Sequence, residues 1–99
     1  MRRGTTPIHT FTVDRDLTSA TVLFITYKQN NVNKVEKDIG ACTITTTSVQ
    51  VQLTQEETLS FEDEGTVFIQ IRAGFADGTR IASNIIKTAI EAVLKDGEI

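Results

Sequence analysis

The sequence predicts an all-β protein: two packed sheets of about seven short strands, with one short helical turn near residues 54–60. Three observations carry that reading. Thr (16), Ile (11) and Val (8) make up more than a third of the 99 residues, and all three are stiff at χ1 and favour strands. Proline occurs once, at Pro7, so nothing after it forbids ladder hydrogen bonds. Short apolar runs, most of them alternating with polar residues, recur roughly every 8–12 residues with Asn, Asp or Gly between them, the spacing of a sandwich. The length allows one domain with one core. Residues 8–95 are assigned to it, and residues 1–7 to a flexible N-terminal arm.

The arm reading follows from Pro7, which biases Thr6 toward extended geometry, and from Gly4, which loosens the chain. Arg2 and Arg3 make its end positive. IHTFTV (8–13) then alternates, His9, Phe11 and Val13 on one face and Ile8, Thr10 and Thr12 on the other. DRDLTSA (14–20) is polar punctuation around Leu17, which is expected to be buried.

ATVLFITYKQ (20–29) is apolar on both faces, with Val22 and Phe24 on one and Leu23, Ile25 and Tyr27 on the other. A sandwich strand ordinarily has one apolar face, so a second covering surface is expected. Leu23, Ile25 and Tyr27 are the expected protein-contact residues, with Tyr27 as anchor because its ring is broad and its hydroxyl suits a rim. The competing expectation is that residues 8–13 fold over this face within the same chain.

Asn30-Asn31 suits a tight hairpin, since Asn tolerates positive φ. VNKVEKDI (32–39) reads as an exposed edge strand whose lysines discourage edge pairing, and Gly40 turns the chain. ACTITTT (41–47) and SVQVQL (48–53) follow as strands, with Val49, Val51 and Leu53 inward. Thr54 and Glu57 stand at capping-box spacing, which starts the helical turn. Glu62, Asp63 and Glu64 are expected to form a solvated turn, since adjacent acids lack the alternating ligand spacing of a calcium loop. GTVFIQIRAGF (65–75) points Val67, Ile69, Ile71 and Ala73 one way and Phe68, Gln70 and Arg72 the other. Asp77-Gly78 supplies a hairpin turn. NIIKTAIEAVL (84–94) fits either a helical stripe capped by Asn84 or a strand; the preceding hairpin favours a strand that completes the sheet.

The architecture so read is an immunoglobulin-like β-sandwich, although the single cysteine and absent tryptophan exclude the antibody-type disulfide core. One Cys and one His cannot build an ordinary zinc site, so the fold is expected to need neither metal nor disulfide. A net charge of −3 argues against duplex nucleic acid, and few aromatics in an acidic chain argue against single strands. No apolar run suits a membrane span or a signal peptide. Catalytic motifs are missing as well. His9 occupies an ordinary strand position, Cys42 reads as a small buried hydrophobe in phase with Ile44, and Glu56 and Glu57 sit in a polar segment without tuning. No catalytic, cofactor-binding or metal-binding residue is assigned, and the chain is not expected to be an enzyme.

A resemblance narrows the function. GTTPIHTFTVD, DLTSATVLFITYKQ, VQVQLTQEETLSF and GTVFIQIRAGFADGTRIAS follow one another across residues 4–94. This order is similar to that of small β-sandwich proteins from the tail regions of bacteriophages and prophages of Gram-positive bacteria, especially the N-terminal domain of baseplate upper proteins. The resemblance implies a noncatalytic structural or accessory protein of a virion, made in the host cytoplasm, that docks on other phage structural proteins or on itself. It departs from the family in ending where fibre- or receptor-binding regions would follow, and in its helix-compatible residues 84–94. The alternatives are a cell-surface or secreted immunoglobulin-like adhesion module and a small regulator that binds a partner protein.

Overall fold

The computed structural model describes residues 1–63 and 65–99. It is all-β: β1 (Ile8–Thr12), β2 (Ala20–Gln29), β3 (Val32–Asp38), β4 (Cys42–Ile44), β5 (Ser48–Gln52), β6 (Thr66–Phe75), β7 (Arg80–Ala82) and β8 (Ile86–Ala89). A single turn of 3-10 helix spans Ile39–Ala41, and α1 covers Gln55–Leu59. Every strand pairing is antiparallel.

One sheet has the order β1-β5-β4; the other has the order β3-β2-β6-β7, with β8 also on β6. The sandwich is as expected, and one connection is its own. In the immunoglobulin order the second and third strands lie in opposite sheets. Here Asn30 and Asn31 take φ of 53° and 61°, the two-residue turn whose twist matches a hairpin, so β2 and β3 stay together and β2 sits between β3 and β6.

Segment 84–94 contributes a strand, shorter than its apolar pattern: Ile86–Ala89 pairs with Ile69–Thr66. β7 and β8 together form one broken edge column. At the break the Ser83 Oγ accepts the Ile71 N–H at 3.0 Å, while the Ser83 N–H donates to the Ile71 carbonyl at 2.8 Å.

The core lies between the sheets. Val49, Val51 and Leu53 from one sheet meet Leu23, Ile25, Val67, Ile69 and Ile71 from the other, with Leu17 and Phe61 closing the ends. α1 begins at a complete capping box: the Thr54 hydroxyl accepts the Glu57 N–H at 3.1 Å, and Glu57 Oε1 accepts the Thr54 N–H at 2.8 Å. Of the acidic turn, Glu62 and Asp63 are exposed; Glu64 lies outside the described residues.

Residues 1–7, expected as a flexible arm, are laid along the domain. The terminal ammonium of Met1 donates to the Ala89 carbonyl at 2.8 Å, Arg2 forms an isolated parallel bridge with Glu91, and Thr58 Oγ1 donates to the Thr5 carbonyl at 2.8 Å. The arm is part of the domain because its backbone and its arginines find carbonyl and carboxylate partners far along the chain.

Candidate functional site

Strand β2 has two apolar faces, and the structure covers the one the sequence offered to a partner. Leu23, Ile25 and Tyr27 each have 0% exposure. This corrects the expectation of a contact surface made by these three side chains. The covering layer comes from within the chain, with His9 and Phe11 of β1 turned inward and His9 stacked on the Tyr27 ring at 5.7 Å. The physical reason is plain: burying large side chains at ~1.5–3 kcal/mol each is the main source of core stability, and these are three of the largest.

The opposite face of β2 is the one left in solvent. Phe24 is 40% exposed and Phe68, on the neighbouring β6, is 38% exposed. Strand register sets their surroundings. One row across the sheet runs Asp38–Phe24–Arg72–Ala82; the next runs Glu36–Thr26–Gln70; the third runs Asn33–Lys28–Phe68–Lys87. Each phenylalanine thus has a cation directly beside it, Arg72 next to Phe24 and Lys28 next to Phe68. Lys87 Nζ also lies 5.8 Å from the Phe68 ring centroid. Arg80 joins this face opposite Gly74, where a side chain on Gly74 would collide with Val22 and Arg80.

Charge is unevenly spread over this face. The acids Glu36 and Asp38 stand on β3 at one edge, and Arg80 and Lys87 on β7 and β8 at the other; all four are exposed. Among the described residues none of these, nor Lys28 or Arg72, has an ion-pair partner within the chain. Exposed aromatic rings flanked by unpaired cations favour macromolecular contact.

A second surface follows the open seam between β1 and the β7–β8 column. A hollow of about 730 Å³ lies between Thr12, Val13 and Leu17 on one side and Ile81, Ser83 and Ile86 on the other. A smaller one, about 490 Å³, adjoins it between Ile8 and Thr10 of β1 and Ile86 and Thr88 of β8. Both open to solvent, and their rims carry the exposed side chains of Ile8 and Ile86.

The remaining chemistry-bearing side chains are tied down. His9 Nδ1 lies 2.7 Å from the Tyr27 hydroxyl, and burial, helped by the positive N-terminus, pulls its pKa below the usual 6.5. Cys42 is half-buried with Sγ 3.3 Å from the Asp38 carbonyl; burial and then Asp38 push its pKa up, against a smaller opposing effect of Lys37, so the thiol stays protonated. Glu57 is occupied by Lys37 at 2.7 Å and by the capping box, while Glu56 is exposed. Among the described residues no cluster of three or more His, Cys, Asp or Glu could hold a metal ion, and no helix is long and apolar enough to cross a membrane.

Comparison with family models, with curated proteins and with solved structures finds no match to this chain.

The outer face was partly visible in the sequence. The alternation gives Val22 and Phe24 as one apolar side of β2, and places Phe68, Gln70 and Arg72 together on the side of β6 opposite Val67, Ile69, Ile71 and Ala73. Their meeting is not visible there, because it depends on the β2–β6 register, which pairs residues 40 apart at Lys28 and Phe68.

Proposed function

We propose that this chain is a noncatalytic structural or accessory protein of a bacteriophage or prophage virion, working in the tail or baseplate through contacts with other structural proteins. The observation that carries the contact reading is the outer sheet face, where half-exposed Phe24 and Phe68 alternate with Arg72 and Lys28. An aromatic and arginine surface of this kind has the composition of interface hot spots. The likeness of its strand motifs to tail-region sandwich proteins supports the virion as the setting.

The test is particle composition. The chain carrying an epitope tag is expressed in the cell that encodes it, particles are induced and purified on a density gradient, and their proteins are identified by mass spectrometry. The tag is expected to band with particles in fixed ratio to tail proteins, and Phe24→Ser with Phe68→Ser is expected to release it. Complete particles without the chain would overturn the reading. Recovery from the cell-wall fraction would turn it toward a surface adhesion module.

A further inference from the structure

We propose that the outer face of the β3-β2-β6-β7/β8 sheet closes against the same face of a second copy of this chain, about a two-fold axis parallel to the strands and between β2 and β6. The proposal rests on reading that face as a contact surface, and adds what occupies it.

The geometry is a grid. Phe24 and Phe68 occupy one diagonal of a four-residue rectangle, one strand spacing wide and four residues long, and Arg72 and Lys28 the other. Two in-plane two-fold operations bring such a face onto itself. Either one sets each phenylalanine over a cation of the partner copy, an arrangement that cation–π attraction favours. The edges distinguish them. A two-fold axis perpendicular to the strands would lay β3 over β3 and the β7–β8 column over itself, with Glu36 directly on its own copy, so each edge would meet an edge of its own sign. The axis parallel to the strands instead places β3 of one copy over the β7–β8 column of the other. Asp38 then faces Ala82 beside Arg80, and Glu36 falls one row from Lys87. The acidic edge of each copy thus lies over the basic edge of the other, with the opposite charges one row apart, and the interface is isologous, the commonest form of homodimer. Its strands run aligned, as in stacked sheets.

Charge also argues for a second copy over other occupants. A single nucleic acid strand fits aromatic rings and cations but would have to lie against Glu36 and Asp38. A uniformly acidic protein would meet the same two carboxylates. Only a partner carrying both signs in the reversed order matches both edges, and this chain is such a partner.

The experiment measures the mass of the full chain in solution over a wide range of concentrations, by light scattering and sedimentation. Wild type is expected to reach twice its 10.9 kDa. Two charge variants then test the axis: Glu36→Lys with Asp38→Lys makes both edges basic, and Arg80→Glu with Lys87→Glu makes both acidic. Each alone is expected to weaken self-association by on the order of 100-fold or more, because like charges face one another. Mixed together they are expected to regain a dimer containing one of each. Phe24→Ser with Phe68→Ser, at two exposed positions, gives a third variant that should be monomeric while keeping its cooperative unfolding transition.

A wild-type chain that stays monomeric at every concentration overturns the proposal. So does a dimer that persists in both charge variants, or a mixture of folded variants that fails to pair. If the monomeric wild type still enters particles and the phenylalanine variant does not, the contact face stands and self-pairing falls. If that variant enters particles as well, the reading of the face as a contact surface falls too.

Discussion

His9 Nδ1 and the Tyr27 hydroxyl lie 2.7 Å apart, joining the three-stranded sheet to the five-stranded one through the middle of the sandwich. The phenol is fully enclosed, and burial, with smaller effects of Cys42 and Glu57, holds its pKa far above the usual 10, so it keeps its proton. Among the described residues His9 Nδ1 is the one hydrogen-bond partner of the hydroxyl, and a buried O–H is satisfied as a donor only with that nitrogen as acceptor. A neutral His9 accepts that proton at Nδ1. A protonated one would reverse the bond and leave the phenol hydrogen without its acceptor.

Stability is therefore expected to fall with acid in a defined window. The folded pKa of His9 is lowered from 6.5, so below that value the unfolded chain binds a proton that the folded chain resists. The contribution is full above about 6.5 and is lost as pH falls from there through the folded pKa. His9→Gln should flatten this part of the curve. Tyr27→Phe should lower stability by about 1 kcal/mol and leave the same window in place, because the ring that buries His9 is kept. Thermal melts at closely spaced pH values check all three; an unchanged slope in His9→Gln would refute the assignment.

Because Ile25 and Tyr27 are core, Ile25→Asn together with Tyr27→Asn should abolish the cooperative transition. A variant that stays folded and merely dissociates from an assembly would restore the contact role first expected for them.

What the sequence disclosed was local. Thr54 and Glu57 are three residues apart, and their hydrogen bonds depend on nothing else, so the helical turn could be placed from spacing alone. Asn30-Asn31 likewise carries its own turn geometry. The two sides of β2 were a different matter. Both are apolar, and the choice between them depends on where β1 and β5 pack. The amphipathic pattern of residues 8–13 named the correct cover but could not rank it against another chain. The arm was misread for the same reason, since the carbonyls that Arg3 holds belong to Leu59 and Phe61, more than fifty residues away.

Gln29 offers a sharper test of packing. It is fully buried, and its side-chain amide pairs with both backbone groups of Glu62, Nε2 donating to the carbonyl at 3.0 Å and Oε1 accepting the N–H at 2.7 Å. A side chain on Gly65 would overlap that same Nε2. Gln29→Leu should cost about 2 kcal/mol by stranding the Glu62 backbone groups. Gly65→Ala should cost about 1–3 kcal/mol through overpacking. Combined with Gln29→Ala, the Gly65→Ala cost should shrink, because the obstruction is gone. Strict additivity in urea unfolding would sink the account.

Glu57 should govern a second, more acidic transition. Burial pushes its pKa up, but the Lys37 ammonium at 2.7 Å and the backbone N–H and hydroxyl of Thr54 outweigh this and bring it below the usual 4.5. The folded chain then holds the charged form more strongly than the unfolded one does. Its stabilisation is complete above about 4.5 and is lost as pH falls through the folded pKa. Glu57→Gln should remove this acid dependence, whereas Glu56→Gln, at an exposed position without these partners, should leave it in place. Equal effects of the two substitutions would contradict the assignment.

Arg3 is the strongest single tether of the N-terminal segment. Nε donates to the Phe61 carbonyl at 2.7 Å and Nη2 to the Leu59 carbonyl at 3.1 Å, which occupies carbonyls at the end of α1. Nη1 donates to Asp96 Oδ1 at 2.6 Å, and Asp63 Oδ1 lies 3.6 Å from Nε. One planar guanidinium thus gathers the arm, the helix end and the C-terminal segment, and its side chain is only 18% exposed. Arg2 makes a comparison within the same arm: its ion pair with Glu91, at 3.2 Å, has side chains 58% and 54% exposed. Water screens such a pair, so Arg2→Ala should cost less than about 1 kcal/mol. Arg3→Ala should cost about 2–3 kcal/mol, since it strands partly buried carbonyls that accept charge-assisted bonds. Arg3→Lys should recover little, because an ammonium cannot reproduce the fork that reaches both carbonyls and Asp96 at once. Urea unfolding at constant slope measures the three variants side by side. Equal costs for Arg2→Ala and Arg3→Ala, or full rescue by lysine, would mean that the arm is held by charge alone and not by the geometry of Arg3.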